Sequence, residues 1–131
     1  MREFLFRGKQ VFFNDWIEGT GIFNDGINTW LSFNEPEKAI AYGLNHKRVH
    51  AETIGEFTGL TDKNGKRIFE GDIVNGFNDL HQRLETYKVK WACNNGFYFV
   101  DDCETEWHPE HIENVEVIGN IHDNPELLEN P

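Results

Sequence analysis

The sequence predicts a mainly β fold with one or two short helices. Short apolar stretches recur along the 131 residues and are separated by Gly, Asn and Asp, as in strands joined by tight turns. Aromatic residues, which favour strands, are abundant, with 11 Phe and 4 Trp. Helix-favouring runs are scarce. A chain of this length is enough for one compact domain, or for a domain with a small appended sheet.

The first third of the chain predicts several short strands. They lie at 3–6, 11–13, 16–17, 21–24 and 27–33. Asp25-Gly26 is a strong turn dipeptide, so the last two segments are expected to form a hairpin. Alternation along the final strand places Ile27, Leu31 and Phe33 on one face and Trp30 on the other.

One helix is predicted near residues 35–42. Asn34 can cap it, with Glu37 three residues later completing a box-like arrangement. Pro36 is tolerated in the first turn, and Gly43 suits the exit. The segment is about two turns long, so it depends on packing for stability.

The second half predicts a β domain. Strands are expected near 68–76, 84–92, 97–101 and 115–122, with a tight turn at Asn94-Asn95-Gly96 and a bulge at Gly119. Asn124-Pro125 begins a single helical turn at the end. A boundary near 53–57 divides the chain into an N-terminal β region, 1–56, and a domain, 57–131.

Charge is distributed unevenly. Residues 1–67 carry 9 Lys/Arg and 9 Asp/Glu, whereas residues 101–131 carry no Lys/Arg and 10 Asp/Glu. An anionic surface repels phosphates, so direct nucleic-acid binding is not expected. The acids are typical of a solvated face; alternatively they dock a basic protein partner or mimic a nucleic acid.

The expected location is the cytoplasm. No stretch approaches the roughly 20 apolar residues of a membrane span, and the first residues lack the apolar run of a secretory signal. Cys93 and Cys103 are expected to be free thiols, since the predicted hairpin holds them about 17 Å apart.

Asp62-Lys63-Asn64-Gly65-Lys66 resembles the start of a calcium loop. An EF-hand needs an oxygen ligand at its fifth position, Gly at the sixth and Glu at the twelfth. Those places hold Lys66, Arg67 and Ile73. The segment is therefore predicted to be a turn.

Two other groups have side chains capable of chemistry. Glu70 and Asp72 are expected on one face of a strand, where capping or edge protection is commoner than acid/base catalysis. Cys103, His108 and His111, with Cys93 further off, are metal-capable, but only the two histidines have zinc-ligand spacing. They are expected to be exposed in a loop.

No nucleophile or phosphate motif surrounds the single serine, Ser32. The aromatic side chains suit either a ligand groove or, more commonly in a small β domain, a core. They are Trp16, Trp30, Trp91, Trp107 and Tyr98.

Three separated segments carry a resemblance to a known family. They are Arg2-Glu3-Phe4-Leu5-Phe6-Arg7, the long central segment from Phe57 to Val74, and the closing segment from Val117 to Leu128. The chain resembles the YopX family of small proteins encoded by phages and prophages. The resemblance implies a β-rich fold whose C-terminal part is similar to an SH3-like barrel. It implies no activity, because the family has no assigned biochemical function or catalytic residues.

The leading hypothesis is a non-catalytic phage or prophage accessory protein that binds another protein, with homo-oligomers open. No catalytic, cofactor-binding or metal-binding residue is assigned, and no cofactor is expected. The alternative is an acidic nucleic-acid mimic that occupies a host DNA-processing protein. A third hypothesis is a metal-assisted enzyme that uses His108 and His111.

Overall fold

The computed structural model describes residues 5–32, 46–92 and 96–128. Its chain divides into two compact units, Met1–Phe57 and Thr58–Pro131. Helical structure in the described ranges is confined to three single 3₁₀ turns, at Ala51–Thr53, Pro109–His111 and Pro125–Leu128. None of the helices found there could cross a bilayer. The prediction of a mainly β protein is confirmed, and the predicted helix near 35–42 lies outside the described residues.

The N-terminal unit is built from short antiparallel strands. They are β1 (Phe6–Lys9), β2 (Trp16–Gly19), β3 (Gly21–Asn24), β4 (Thr29–Ser32) and β5 (His46–Val49). β1 pairs with β2, and β3, β4 and β5 form a three-stranded sheet in that order. A bridge between Gln10 and Val49 joins the end of β1 to β5. The first residues of β6 (Gly55–Thr61) pair with β1.

Two turns in this unit differ in detail from the prediction. Residues 11–13, expected as a strand, are part of the β1–β2 turn, which is closed by the Gln10 N–H bonded to the Asp15 carbonyl. The hairpin at Asp25-Gly26 is confirmed. Ile27 is in its loop and not in β4, because the Asp25 carboxylate binds the N–H groups of Ile27 and Asn28.

The core of the N-terminal unit forms on one side of these strands. Ile17, Leu31 and Val49 are buried together, with Phe6 and Ile54 packed against them. Leu31 faces this cluster, so its neighbour Trp30 points to the opposite side of β4. The predicted alternation in this strand is confirmed for the residues of β4.

The C-terminal unit contains the larger sheet. Its strands are β8 (Asp72–Asn78), β9 (Arg83–Ala92), β10 (Gly96–Val100), β11 (Glu106–Trp107) and β12 (Ile112–Asn120). Their order is β11-β10-β9-β8-β12, and the sheet is strongly curled. Register shifts in β12 between Glu113 and Glu116 and between Val117 and Gly119 are bulges, which bend a strand. The predicted bulge at Gly119 is thereby confirmed.

The hollow of the curled sheet holds the main core. It is an apolar cluster of seven buried side chains: Ile68, Val74, Tyr87, Val89, Phe97, Phe99 and Ile112. Ile68 comes from β7 (Arg67–Phe69), which lies next to the later part of β6. The predicted helical turn at the end is confirmed at Pro125–Leu128. The SH3-like character of this unit stays a prediction.

Candidate functional site

The predicted turn at Asp62 is confirmed, and the Asp62 carboxylate closes it through hydrogen bonds to the backbone. Asp62 Oδ1 accepts bonds from the N–H groups of Asn64 and Lys66, each at 2.9 Å. Asp62 Oδ2 accepts from the N–H of Val117 at 2.9 Å. Burial alone would raise the pKa of Asp62, but these backbone bonds outweigh it and lower the pKa. Its oxygens are occupied by the protein's own backbone.

Glu70 and Asp72 do not share a strand. The expected strand near 68–76 is interrupted at Gly71, which has a φ of +93° and separates β7 from β8. Asp72 is buried, and its Oδ2 accepts a hydrogen bond from the N–H of Phe69 at 2.8 Å. The prediction of two carboxylates on one strand face is therefore wrong, because a left-handed glycine turns the chain between them.

The metal-capable residues are likewise separated. Among the described residues, the group that converges is Asp101, Asp102 and Cys103. The charge of Asp102 raises the pKa of the Cys103 thiol, which disfavours the thiolate that zinc needs. His108 and His111 are half exposed and lie near Glu110 and Asp79, respectively. Cys93 lies outside the described residues.

A polar network in the C-terminal unit runs from the buried side chains of Asn78 and Tyr87 to the exposed side chains of His81 and Arg83. The Tyr87 hydroxyl accepts a bond from Asn78 Nδ2 at 3.0 Å and donates one to Glu85 Oε2 at 2.8 Å. Glu85 Oε1 accepts from Arg83 Nε at 2.6 Å and lies 2.8 Å from His81 Nδ1. Burial alone would raise the pKa of Glu85, but these bonds lower it. The carboxylate is thus held ionised by internal partners, as in a structural network.

A cleft of about 610 Å³ opens beside this network. It is lined by β9, the 101–104 loop and the last helical turn, with Leu84, Leu127 and Leu128 among several charged side chains. Lys88 Nζ lies 3.5 Å from Glu104 Oε1. Asp101 accepts bonds from the N–H groups of Cys103 and Thr105 and from the indole of Trp107. Much of the charge in this cleft is therefore compensated within the unit.

The tryptophans are not core residues, contrary to the commoner expectation. Trp16, Trp30 and Trp107 are half-buried, and Trp91 is exposed. Trp107 packs at the margin of the C-terminal core. Trp30 is excluded from the N-terminal core because Leu31, on the opposite side of β4, occupies it.

Trp30 belongs to a row of side chains on the outer side of the three-stranded sheet. Phe23 of β3 lies opposite Trp30, and Trp30 lies opposite Arg48 of β5. Residues paired in this way project from the same face of a sheet. The Arg48 guanidinium lies over the Phe12 ring, 5.6 Å from its centroid. The Trp30 and His46 rings meet edge to face at 5.0 Å.

The same side continues onto β1 and β2. Gln10 and Val49 are paired and both buried, so Lys9 and Arg48 project to the other side. Trp16 lies opposite Lys9 and has the Arg7 guanidinium 4.9 Å from its ring centroid. We call this surface the outer face. It comprises Arg7, Lys9, Phe12, Trp16, Phe23, Trp30, His46 and Arg48.

Sequence reasoning missed the outer face as a site. The sequence held one signal for this face: strand alternation places Trp30 and Leu31 on the two different faces of the same strand. The contribution of Arg48 and Phe12 depends on how β5 pairs with β1 and β4, and no local pattern contains that pairing.

The fold and sites define a class: a small, mainly β protein of two compact units, with an internally bonded polar network and an aromatic, cationic face. The family model of the YopX protein matches residues 5–129, so the chain belongs to the YopX family. The chain is similar to the crystal structure of protein EF1440 from Enterococcus faecalis. The two are 26% identical with a TM-score of 0.56, and the match covers 98% of this chain and 100% of that one. No curated protein matches the chain.

Proposed function

We propose that the chain is a non-catalytic, phage- or prophage-encoded accessory protein that binds another protein through the outer face. The observation that carries the proposal is the row Phe23, Trp30 and Arg48, with Phe12 against Arg48. Aromatic residues and Arg are the types enriched where binding energy concentrates in protein interfaces. Phe12 is 77% exposed and Phe23 is 57% exposed, so both present apolar area to solvent.

The polar network of the C-terminal unit supports a non-catalytic role. A general base needs a lone pair within reach of substrate and a pKa near the working pH. Glu85 is bonded to several internal partners, and its pKa is lowered. Burial raises the pKa of Tyr87, which keeps its phenol protonated. These groups are arranged to hold the sheet together.

An intracellular location fits the same proposal. Cys103 is a free and exposed thiol. Such thiols persist in the reducing cytoplasm, whereas oxidising compartments favour disulfides. The partner is then expected among bacterial or phage proteins of the cytoplasm.

Capture from bacterial lysate, with variants matched for exposed apolar area, tests the proposal. The immobilised protein is compared with a Phe12→Ser/Phe23→Ser variant and with a Leu80→Ser/Leu84→Ser control. Leu80 and Leu84 are 71% and 72% exposed and belong to the C-terminal unit. We expect a saturable partner that the wild type and the control retain and the Phe variant loses. Equal capture by all three proteins, or no saturable partner, would contradict the proposal.

The nucleic-acid mimic is a second candidate, favoured by the exposure of four carboxylates. Glu104, Glu106, Glu110 and Glu113 are all exposed in a segment without Lys or Arg. This candidate predicts a basic partner whose binding weakens steeply with salt and is competed by DNA. Changing these four residues to Gln should abolish such binding while leaving binding at the outer face intact.

A further inference from the structure

One edge of β9 is open over half of its length. β9 has ten residues, Arg83–Ala92. On one side β8 pairs with residues 83–88, whereas on the other side β10 pairs with residues 88–92. Within the described ranges, no strand therefore lies beside Arg83–Tyr87 on the side where β10 ends. Such an edge offers its backbone N–H and C=O groups to another chain.

Asp101 ends β10 and turns the chain away from β9. Its N–H donates to the Thr105 carbonyl at 3.1 Å, and its carboxylate accepts from the N–H groups of Cys103 and Thr105, each at 2.9 Å. Side-chain bonds of this kind close a local turn in place of strand pairing. The turn leads into β11, which pairs with the opposite edge of β10. The open edge of β9 is therefore a consequence of this turn.

The cleft of the C-terminal unit runs along this open edge. Four consecutive residues of β9 line it, namely Arg83, Leu84, Glu85 and Thr86. Consecutive side chains of a strand point to opposite faces of the sheet, so a cleft on one face would contact only alternate residues. A cleft that contacts all four lies at the edge of the strand, where the main chain is within reach.

The main chain of Leu84 and Thr86 points towards the cleft. The Val89 carbonyl accepts from the N–H of Gly71, on the side of β9 where β8 lies. The N–H and C=O groups of successive residues in an antiparallel strand point alternately to its two edges. Odd-numbered residues of β9 therefore bond towards β8, and the N–H and C=O groups of Leu84 and Thr86 face the open edge. An added antiparallel strand pairs with groups in this pattern.

Leucine side chains flank the open edge on one face of the sheet. Leu84 is 72% exposed on this face. A Cβ on Gly119, which shares the same face through its pairing with Ile73, would lie 2.9 Å from Leu127 Cδ1. Leu127 and Leu128 line the cleft together with Leu84. A strand added here would bury alternate side chains against these leucines.

We propose that the open edge of β9 binds an extended segment of another protein, which adds to the sheet as a strand antiparallel to β9. The segment carries two apolar side chains two residues apart, opposite Leu84 and Thr86, and a basic side chain between them, opposite Glu85. Strand addition takes its affinity from main-chain bonds and its specificity from alternate side chains. The site belongs to the C-terminal unit and is additional to the one proposed on the outer face.

A second copy of the chain is a poorer occupant than an extended segment. The edge is recessed between the 101–104 loop and the last helical turn, which both line the cleft. The same walls recess the edge of a second copy, so two such edges do not reach the spacing of about 4.8 Å between paired strands. A narrow terminus or long loop of another protein has no such walls.

The charges near the cleft favour a basic residue over an acidic one between the two apolar residues. The charge of Asp102 is the main reason that the pKa of the Cys103 thiol is raised. The pKa of Arg83 is raised by its bond to Glu85 and by the charges of Glu85 and Asp102. Both directions indicate a negative potential at this end of the cleft. A basic side chain directly opposite Glu85 is therefore favoured in the added strand.

Amide hydrogen exchange, read by NMR on the isotopically labelled full chain, tests the inference. The probe is a synthetic peptide, Leu-Lys-Leu flanked by two threonines at each end. In the free protein the Leu84 and Thr86 amides should exchange fast, whereas the Glu85 amide, which bonds towards β8, should be protected. Saturating peptide should slow exchange of the Leu84 and Thr86 amides by about tenfold or more and leave Glu85 unchanged.

Two results of the exchange experiment would overturn the inference. One is an unchanged exchange rate at both Leu84 and Thr86 when the peptide is saturating. The other is protection of these two amides in the free protein that rises with protein concentration, because a second copy would then occupy the edge.

Modified peptides distinguish strand addition from looser contact. N-methylation of the two leucine amides removes the donors that face β9 and should abolish binding. N-methylation of the lysine amide and of the next threonine amide, which point away from β9, should change the affinity less than about twofold. Glutamate in place of lysine should weaken binding about threefold. Equal affinity of the two methylated peptides, or of the lysine and glutamate peptides, would contradict the inference.

Protein variants locate the bound peptide. Leu127→Ser should weaken its binding about fivefold, because one flanking apolar side chain is lost. Leu60→Ser is the matched control, since Leu60 is also in the C-terminal unit and is 42% exposed, against 38% for Leu127. Well-dispersed spectra establish that each variant is folded. Equal affinities of these two variants would count against the cleft, whereas the peptide comparisons need no variant.

The Phe12→Ser/Phe23→Ser variant separates this inference from the proposed function. It should bind the peptide as the wild type does, because both substitutions are in the N-terminal unit. If this variant loses its lysate partner but keeps the peptide, the outer face and the cleft are two separate sites. If it loses the peptide while its spectrum stays well dispersed, the peptide binds at the outer face and the inference is wrong.

Discussion

The carboxylate of Asp62 accepts a hydrogen bond from the main-chain N–H of Val117, at 2.9 Å and 55 residues further along the chain. Its other oxygen closes the turn before β7 by accepting from the N–H groups of Asn64 and Lys66. Asp62 is only 7% exposed. One buried side chain therefore fixes a local turn and ties it to β12, next to a bulge.

Asp62→Ala is predicted to destabilise the protein by about 2–4 kcal/mol, because it removes a charged acceptor and leaves several N–H groups without it. Asp25→Ala is the matched control, since Asp25 also accepts from two backbone N–H groups but within an exposed hairpin loop. Urea unfolding measures both variants. A loss from Asp62→Ala no larger than that from Asp25→Ala would show that the Val117 bond contributes little.

Stability is predicted to fall in acid because of Asp62 and Glu85. Both pKa values are lower in the folded protein than in the unfolded chain. A lowered pKa means that the stabilisation is complete above the unfolded values, about 3.9 for Asp and 4.3 for Glu. It is lost as the pH falls through the folded values below them. The free energy of unfolding, measured from pH 6 to pH 2, should fall less steeply in Asp62→Asn than in wild type; parallel curves would contradict the assignment.

Tyr87→Phe is predicted to destabilise the protein by about 1–3 kcal/mol, because the buried Asn78 amide loses its acceptor and Glu85 loses a donor. Tyr98→Phe, at a half-buried position on β10, is the control and should cost less. Chemical denaturation at neutral pH compares the two variants. Equal losses would mean that the network does not stabilise the sheet.

The same tyrosine predicts a loss of stability in alkali. Burial raises the pKa of Tyr87 above its ordinary value, so its stabilisation is complete below about pH 10 and is lost as the pH rises towards the folded value. The unfolding free energy of the wild type should therefore fall above pH 10. The unfolding free energy of the Tyr87→Phe variant should fall less over the same pH range. An identical decline in the two proteins would assign the effect to other groups.

Much of the fold was predictable because it depends on local patterns. Alternation placed Leu31 inside and Trp30 outside β4, and Asp25-Gly26 marked its hairpin. The break between β7 and β8 was missed because Glu70-Gly71 lies between apolar residues that look like one continuous strand. The outer face was missed because it depends on the pairing of β1 with β5, which no single segment encodes.

Any side chain at Gly76 is predicted to destabilise the protein, because the neighbouring antiparallel strand β12 places Ile112 against this position. A Cβ at this position would lie 2.2 Å from Ile112 Cγ2, and Ile112 is itself buried. Such overpacking costs about 1–3 kcal/mol, so Gly76→Ala should lower the unfolding free energy by that amount. Shortening Ile112 makes room for the new methyl group. The Gly76→Ala/Ile112→Ala double variant should therefore lose less stability than the sum of the two single variants.

Gly65→Ala separates this steric effect from backbone strain. Gly65 has a φ of +82°, and apart from its chain neighbours no atom lies within 4 Å of the place that a Cβ would occupy. Its substitution therefore costs strain alone, about 1–2 kcal/mol. Ile112→Ala should not offset the loss of stability from Gly65→Ala, because Ile112 does not contact a Cβ at residue 65. Denaturant unfolding of the five variants completes the two cycles. Relief of a clash must appear as coupling between the two positions. If the losses of unfolding free energy from Gly76→Ala and Ile112→Ala were additive, a clash with Ile112 would not be the cause of the loss in Gly76→Ala.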